Sequence, residues 1–170
     1  MKKLIILRGY PGSGKTTVGK ALEKAGSGIF IDHNQILTFI VQFTENDDGI
    51  YEEISQLEQA MTRKVLDDKK SVIVARGFSS SASIQKYIDV TKEQGATPYV
   101  IRLEVSMDNL IQRVQSPERK QDFNPTTNEE VLKNWINDNP FEDYPEELVV
   151  DANLDVETVV SRIRGFISAE

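Results

Sequence analysis

The sequence predicts an α/β fold in which helices cover both faces of a parallel β-sheet. Two observations support this prediction. Short apolar runs alternate along the chain with segments in which apolar residues recur every three or four positions, as expected for strands alternating with helices. A glycine-rich segment, Gly9–Thr16, separates the first apolar run from the first helical segment. Because loops that follow parallel strands meet at one edge of the sheet, we expect functional side chains at that edge.

The first half of the chain contains three predicted strands and the helices between them. The strands are residues 3–8, 28–32 and 71–76, and the helices are residues 15–25, 36–43 and 50–69. In the third helix, an apolar stripe is predicted to face the core; it consists of Ile50, Ile54, Leu57, Met61 and Val65.

The second half is expected to continue the same alternation within a single domain of 170 residues. Strands are predicted at residues 97–103 and 148–151, with helices before, between and after them. Thr127 and Glu130 have the spacing of a capping box, and Asp155 is suited to cap the last helix. Residues 116–125, SPERKQDFNP, are polar and flanked by prolines, which predicts a loop.

The glycine-rich segment matches a phosphate-binding motif in full. Its sequence, GYPGSGKT, fits G-x-x-x-x-G-K-[S/T] and lies between a predicted strand and a predicted helix. Glycines let backbone N–H groups surround phosphate oxygens, and the following helix directs its positive end at the same place. The alternative, a glycine-rich turn matching by chance, is disfavoured by this context. The predicted nucleotide-binding residues are Gly9, Pro11, Gly12, Ser13, Gly14, Lys15, Thr16 and Thr17.

Composition excludes several other classes. The net charge of −7 argues against an extended nucleic-acid-binding surface, although a small basic cleft for one nucleic-acid end stays compatible with it. The chain has no cysteine, which excludes disulfides, a thiol nucleophile and thiolate metal sites. No apolar run has the length of a membrane span, so we expect no membrane partner. The absence of cysteine and the need for a cytosolic nucleoside triphosphate favour a cytoplasmic location.

On these residues the chain resembles the small P-loop kinases. The layout is most similar to the kinase domain of polynucleotide 5′-hydroxyl kinases and to zeta-toxin-like, gluconate-kinase-like and chloramphenicol phosphotransferase-like enzymes. The resemblance is sharp over KKLIILRGYPGSGKTT. It implies a three-layer P-loop NTPase fold with a five-stranded parallel sheet of order 2-3-1-4-5 and a lid at about residues 115–126. It also implies ATP and Mg²⁺ as cofactors, with Lys15 reaching the phosphates and Thr16 as a metal ligand.

Members of this family place a carboxylate at the end of the second strand, where it takes or orients the hydroxyl proton of the acceptor. Asp32 is the carboxylate at that place, so the resemblance implies a catalytic and substrate-binding role for it. Two alternatives stay open: Asp32 caps the following helix, or the family position falls on Asn34. The arginine that often follows in the family pattern is absent. His33, the only histidine, is interpreted as a solvated loop residue.

The third strand departs from the family, whose members end it with a magnesium-binding Asp. Here the strand ends in Ala75-Arg76, and we expect Arg76 to bind an anionic group of the substrate; the alternative is a surface arginine paired with an acid. Arg113, Arg119 and Lys120 resemble the basic residues of the family's lid. That likeness implies contacts from Arg113 to the nucleotide and a catalytic role for Arg119, whereas the alternative is a solvated charged loop.

The leading hypothesis is an ATP-dependent kinase that transfers the γ-phosphoryl group to a hydroxyl of a nucleic-acid 5′ end, a nucleoside or another small molecule. The alternative is a catalytically weak ATP-binding or sensing module derived from such a kinase, as the missing third-strand Asp would suggest. An NTPase that drives a partner protein is a third hypothesis. No N-K-x-D guanine motif is present, which favours ATP. The sequence leaves both a monomer and a homodimer open.

Overall fold

The computed structural model describes residues 1–44, 49–117, 119 and 126–169. A five-stranded sheet forms its centre, with the strand order β2-β3-β1-β4-β5 and parallel pairing throughout. The predicted sheet and its order are therefore confirmed. The strands are β1 (Lys3–Arg8), β2 (Ile29–Asp32), β3 (Val72–Arg76), β4 (Thr97–Glu104) and β5 (Leu148–Asp151).

Helices cover both faces of the sheet. Within the described residues they are α1 (Lys15–Lys24), α2 (His33–Ile40), α3 (Ile50–Asp67), α4 (Ser81–Gln94), α5 (Met107–Val114), α6 (Glu129–Asp138) and α7 (Val156–Ile167). Helices α1 and α7 share one face, α3 and α4 share the other, and α2 packs on α3. None of these described helices is long and apolar enough to cross a lipid bilayer.

Strand β1 runs through the middle of the core. Leu4, Ile5, Ile6 and Leu7 are completely buried. Leu4 and Ile6 pack with the apolar residues of α3 and α4, while Ile5 and Leu7 pack with those of α1 and α7. A central strand covered on both faces must be apolar at every position, which explains the unbroken run in the sequence.

Two of the predicted helix starts are wrong, whereas those of α1, α3 and α7 are confirmed. Helix α2 begins at His33 rather than residue 36, because the Asp32 carboxylate caps it by accepting a 3.1 Å hydrogen bond from the Asn34 amide. The capping residue of α6 is Asn128, whose side chain accepts from the Val131 amide, rather than Thr127. Asp155 caps α7 as predicted, since it accepts from the Thr158 amide at 2.9 Å.

The buried face of α3 differs from the predicted stripe. Leu57 and Met61 are 43% and 39% exposed, although Ile50 and Ile54 are buried as expected. The buried face continues instead through Glu58, Thr62 and Leu66. Glu58 can lie on that face because neighbouring elements supply hydrogen-bond partners for its carboxylate.

Candidate functional site

A cleft of about 1250 Å³ opens at the carboxyl ends of the strands. It exceeds the usual range of small-ligand pockets, roughly 300–1,000 Å³, and has room for a nucleotide with a second ligand. Every predicted site residue that the structure describes lines this cleft except Asp32. These lining residues are Gly9, Pro11, Gly12, Ser13, Gly14, Lys15, Thr16, Thr17, Asn34, Arg76, Arg113 and Arg119.

The glycine-rich segment Gly9–Thr16, which we call the phosphate loop, has a backbone that needs glycine at two positions. Gly12 and Gly14 have φ angles of 86° and 91°, in the left-handed region that side chains disfavour. At Gly12 a Cβ atom would also lie 3.1 Å from Val114 Cγ1 and 3.2 Å from the Leu110 carbonyl oxygen. The loop therefore packs directly against α5, and the glycine spacing reflects that contact as well as the turn.

Lys15 is held within its own loop. Its Nζ donates hydrogen bonds to the carbonyl oxygens of Gly9 at 2.8 Å and Tyr10 at 3.0 Å. Burial and the positive charge of Arg119 lower the pKa of Lys15 from 10.5 to about 7. Lys15 as a whole is half-buried and lines the cleft. An incoming phosphate would favour the charged ammonium, since it supplies the negative charge that this site lacks.

Two arginines reach the phosphate loop from α5 and the segment after it. Arg113 donates to the Ala152 carbonyl oxygen at 2.9 Å and to that of Gly12 at 3.5 Å, so it links the loop to the segment that follows β5. Arg119 Nη1 is buried and has no hydrogen-bond partner among the residues that the structure describes, and burial lowers the pKa of its guanidinium. Lys120 and most of the predicted lid lie outside the described residues.

The residues around Thr16 fit Mg²⁺, the metal that the resemblance implies. In the described ranges, no three acidic or histidine side chains gather into a metal-binding group. Mg²⁺ does not require such a group, because it keeps several waters and uses phosphate oxygens with one or two protein ligands. Thr16 would supply that ligand. Asn34 Nδ2 lies 3.5 Å from Thr16 Oγ1, so the start of α2 adjoins the same place.

Asp32 lies behind the cleft surface, whereas His33 and Asn34 line it. One carboxylate oxygen of Asp32 caps α2, and the other is 3.6 Å from Lys20 Nζ. Only 8% of the residue is exposed. The helix-capping alternative therefore describes the observed contacts, and a catalytic role for Asp32 stays a prediction.

A buried carboxylate, Glu58, joins three side chains on the other side of the cleft. Glu58 is 2% exposed, and its Oε1 is 2.9 Å from His33 Nδ1. Its Oε2 accepts hydrogen bonds from Arg76 Nη1 at 3.2 Å and from the Tyr87 hydroxyl at 2.7 Å. We call these four residues the Glu58 cluster. Arg76 is thus paired with an acid, as the alternative interpretation held, but the acid is buried and Arg76 still lines the cleft.

The structure corrects the interpretation of His33 as a solvated loop residue. His33 is the first residue of α2, its side chain is 14% exposed, and it is bonded to Glu58. Tyr87 supports the same carboxylate: burial, followed by the negative charge of Glu58, raises the pKa of its hydroxyl, which stays a donor. Sequence reasoning missed Glu58, since its position on a helix between apolar residues gives no sign of distant partners.

Arg8 is a second buried residue that sequence reasoning missed. It ends β1, is completely buried, and donates to Glu147 at 2.6 Å and to the Glu142 carbonyl oxygen at 2.8 Å. The Phe141 ring lies over its guanidinium and stacks on Tyr10 of the phosphate loop, with ring centroids 4.4 Å apart. The segment between α6 and β5 is therefore fastened to the base of the phosphate loop.

Comparison with known proteins agrees with a kinase-like fold around a phosphate loop. A shikimate kinase of Flavobacterium psychrophilum is 26% identical over 143 residues, which cover 81% of this chain and 75% of that enzyme. A putative kinase from Chloroflexus aurantiacus superposes with a TM-score of 0.75 at 19% identity, covering 99% of this chain and 97% of that one.

Another solved structure, from an RNA repair complex named Pnkp1/Rnl/Hen1, superposes with a TM-score of 0.61 at 22% identity. That match covers 86% of this chain and 49% of the other. At these identities the solved structures establish the fold alone. The model of the family described as AAA domain matches residues 4–138, most of the chain. The protein therefore belongs to this AAA-domain family and has the fold of the small P-loop kinases.

Proposed function

We propose that this protein is an ATP-dependent kinase that phosphorylates a hydroxyl group of a small polar acceptor. The observation that supports this most directly is the continuity of the cleft. It runs from Lys15 and Arg119 at the phosphate loop to a polar half around Arg76 and His33. A donor nucleotide and an acceptor can thus lie side by side, which is the main requirement of phosphoryl transfer.

In the nucleotide half, Lys15 and Arg119 would neutralise the charge that develops on the transferring phosphoryl group. Burial lowers the pKa of both groups, and the positive charge of Arg119 lowers that of Lys15 further. Arg113, held by the Ala152 carbonyl oxygen, would border the nucleoside. Mg²⁺, when bound at Thr16, would offset the remaining phosphate charge.

In the acceptor half, hydroxyl, amide and charged groups surround a concave space with aromatic walls. Such a surface suits a polyhydroxylated or otherwise polar molecule of modest size. The similarity to a shikimate kinase over most of both chains also supports a small-molecule acceptor. A 5′-hydroxyl nucleic-acid end is a further candidate acceptor and is included in the panel. The lining residues are His33, Asn34, Tyr51, Ser55, Arg76, Phe78, Ser79, Ser80, Ser83 and Trp135.

The second candidate is a nucleotide-binding module with little transferase activity. Two observations favour it: the third strand ends in Ala75-Arg76 without a carboxylate, and Asp32 lies behind the cleft surface. This module would bind ATP through the same phosphate loop. It differs from the kinase only in what happens to the γ-phosphoryl group.

The test is transfer of labelled phosphate from ATP, with Mg²⁺, to a panel of acceptors. The panel includes hydroxylated ring acids such as shikimate, sugars, nucleosides, chloramphenicol-like and aminoglycoside-like compounds, and 5′-hydroxyl oligonucleotides. We expect transfer to at least one small acceptor and its loss in Lys15→Ala. Lys92→Ala, which removes an exposed lysine far from the loop in sequence, is the matched control. Tight ATP binding without transfer to any acceptor would favour the binding module.

A further inference from the structure

We infer that His33 takes the proton from the acceptor hydroxyl and that Glu58 positions its imidazole for this step. The inference rests on the proposed kinase function and assigns the catalytic base within it. It replaces Asp32, which the family resemblance implied for this role. Its support lies in contacts of the described residues.

The backbone delivers His33 to the cleft. Asp32 ends β2 next to Ala75 in the sheet and caps α2, so the residue after it begins the helix at the carboxyl edge of the strands. His33 and Asn34 consequently line the cleft, with Asn34 close to Thr16 of the phosphate loop. The start of α2 thus adjoins the phosphate loop through Asn34, and His33 shares the carboxylate of Glu58 with Arg76.

Glu58 fixes the ring of His33. The 2.9 Å contact from Glu58 Oε1 to Nδ1 favours the tautomer in which Nδ1 carries the proton and donates it to the carboxylate. Nε2 is then left with its lone pair as the proton-accepting atom. A catalytic imidazole whose ring is oriented by a buried carboxylate is a recurrent arrangement in acid–base catalysis. Arg76 and Tyr87 hold the carboxylate itself in place.

Four other side chains at or near this half are less suited to accept the proton. Glu52 is exposed and bonded to Lys86, and this hydrogen bond lowers the pKa of its carboxyl. The Tyr87 hydroxyl donates to Glu58. Asn34 has an amide, which is not a base at neutral pH. Both oxygens of Asp32, behind the surface, are engaged by the α2 amide and by Lys20.

The acceptor oxygen forms a bond to the γ-phosphorus while the bond from that phosphorus to the β,γ-bridging oxygen breaks, and ADP leaves with the electron pair. The hydroxyl proton moves to His33 Nε2, which gives an imidazolium whose Nδ1–H still donates to Glu58. The imidazolium later releases the proton to solvent. Because phosphoryl transfer needs only a modest base, an imidazole suffices.

Three elements supply the charged and titratable groups that contact His33 or its partner Glu58. Helix α3 supplies Glu58, β3 supplies Arg76, and α4 supplies the Tyr87 hydroxyl. Asp32 precedes His33 in the chain, with Lys20 beside its carboxylate. A fall in the rate at acidic pH must therefore be assigned to His33, Glu58 or Asp32 by substituting these residues one at a time.

The tautomer can be measured without any acceptor, because His33 is the only histidine. Protein labelled with ¹⁵N-histidine will give a single pair of ring-nitrogen signals. We expect the neutral ring to carry its proton on Nδ1, and we expect Glu58→Gln to move the proton ratio toward Nε2. Wild-type protein alone decides the geometry, so a poorly folded Glu58→Gln variant does not weaken the test. A neutral ring protonated mainly on Nε2 would overturn the inference.

The catalytic step is tested with an acceptor found in the panel. In His33→Gln we expect kcat to fall by about 100-fold or more, the usual contribution of a general base, with little change in KM for ATP. The acid limb of the kcat profile should disappear in His33→Gln and persist in Asp32→Asn. In His33→Ala, added imidazole should restore part of the rate. Glu93→Gln, on the exposed end of α4, serves as the matched control.

The two proposals fail in different ways. Wild-type protein that phosphorylates no acceptor contradicts the kinase function, whatever the tautomer of His33. Wild-type transfer that His33→Gln retains in full, or an acid limb that disappears only in Asp32→Asn, overturns the assignment of His33 and leaves the kinase function standing.

Discussion

The Lys15 ammonium lies among carbonyl oxygens of its own loop and beside a second cation, Arg119. In the folded chain its pKa is lowered to about 7, whereas the ordinary value of 10.5 applies after unfolding. Between these values the unfolded chain binds a proton that the folded chain does not. The contribution of Lys15 to the free energy of unfolding therefore rises with pH across this window.

ATP binding at pH 8 is predicted to take up close to one proton from solution. With a pKa near 7 most Lys15 side chains are neutral at that pH, and bound phosphate would favour the charged form. Calorimetric titration in buffers of different ionisation enthalpy measures this uptake.

Lys15→Arg is the matched variant, since a guanidinium stays charged and has no proton to gain. If it binds ATP, we expect no uptake from this position. The interpretation of the Lys15 environment is contradicted if wild-type protein binds ATP at pH 8 with no proton uptake.

At the scale of secondary-structure elements, the contact between α1 and β2 depends on one missing side chain. A Cβ atom at Gly19, in the middle of α1, would lie 2.5 Å from the Phe30 ring of β2. Phe30 in turn packs against the apolar core on that face. The glycine thus permits the close approach of helix and strand that brings β2, and with it His33, to the cleft.

Gly19→Ala is predicted to lower the free energy of unfolding by about 1–3 kcal/mol, because the added methyl group overpacks the contact with Phe30. Urea denaturation followed by circular dichroism measures the change.

The control for this prediction is Gly165→Ala. Gly165 lies in α7, and an added Cβ would meet no atom within 4 Å. This variant is expected to raise the free energy of unfolding by about 0.5–1 kcal/mol through helix propensity alone. If both variants shift stability in the same direction, the steric argument for Gly19 is wrong.

For the whole molecule, Arg8 connects segments that are distant in the chain. Its guanidinium joins the end of β1 to the Phe78 carbonyl oxygen after β3 and to Glu142 and Glu147 before β5. Glu142 also accepts a hydrogen bond from the Ser81 amide at the start of α4. These contacts hold the acceptor side of the cleft and the phosphate loop in one arrangement.

Arg8→Met is predicted to lower the free energy of unfolding by about 3–5 kcal/mol, because it removes one partner of a buried ion pair. Thermal and urea denaturation measure the effect. Adding Glu147→Leu should recover part of the loss, since the carboxylate then no longer needs a partner, although Arg102 loses its contact with Glu147 at 3.4 Å. If Arg8→Met alone is as stable as wild type, the ion pair of Arg8 with Glu147 does not stabilise the fold as proposed.

The sequence predicted much of the fold because the relevant signals are local. The apolar run of β1, the glycines of the phosphate loop and the periodicity of the helices each report the surroundings of residues close together in the chain. The resemblance then supplied the strand order, which the pairing of β1 with β3 and β4 confirms. Helix starts were less predictable, since several polar residues near each start compete as caps.

The sequence by itself determined the phosphate loop, the parallel sheet and membership of the P-loop proteins. Only the tertiary structure revealed which polar residues are paired in the interior. His33 contacts Glu58, which is 25 positions away in the sequence, and Arg8 contacts Glu147, which is 139 positions away. Such partners depend on strand order and on which helix faces which, and a buried charge is tolerated only when that arrangement supplies them. Local patterns contain no record of these distant contacts, and for that reason the phosphate-binding half was predicted and the Glu58 cluster was not.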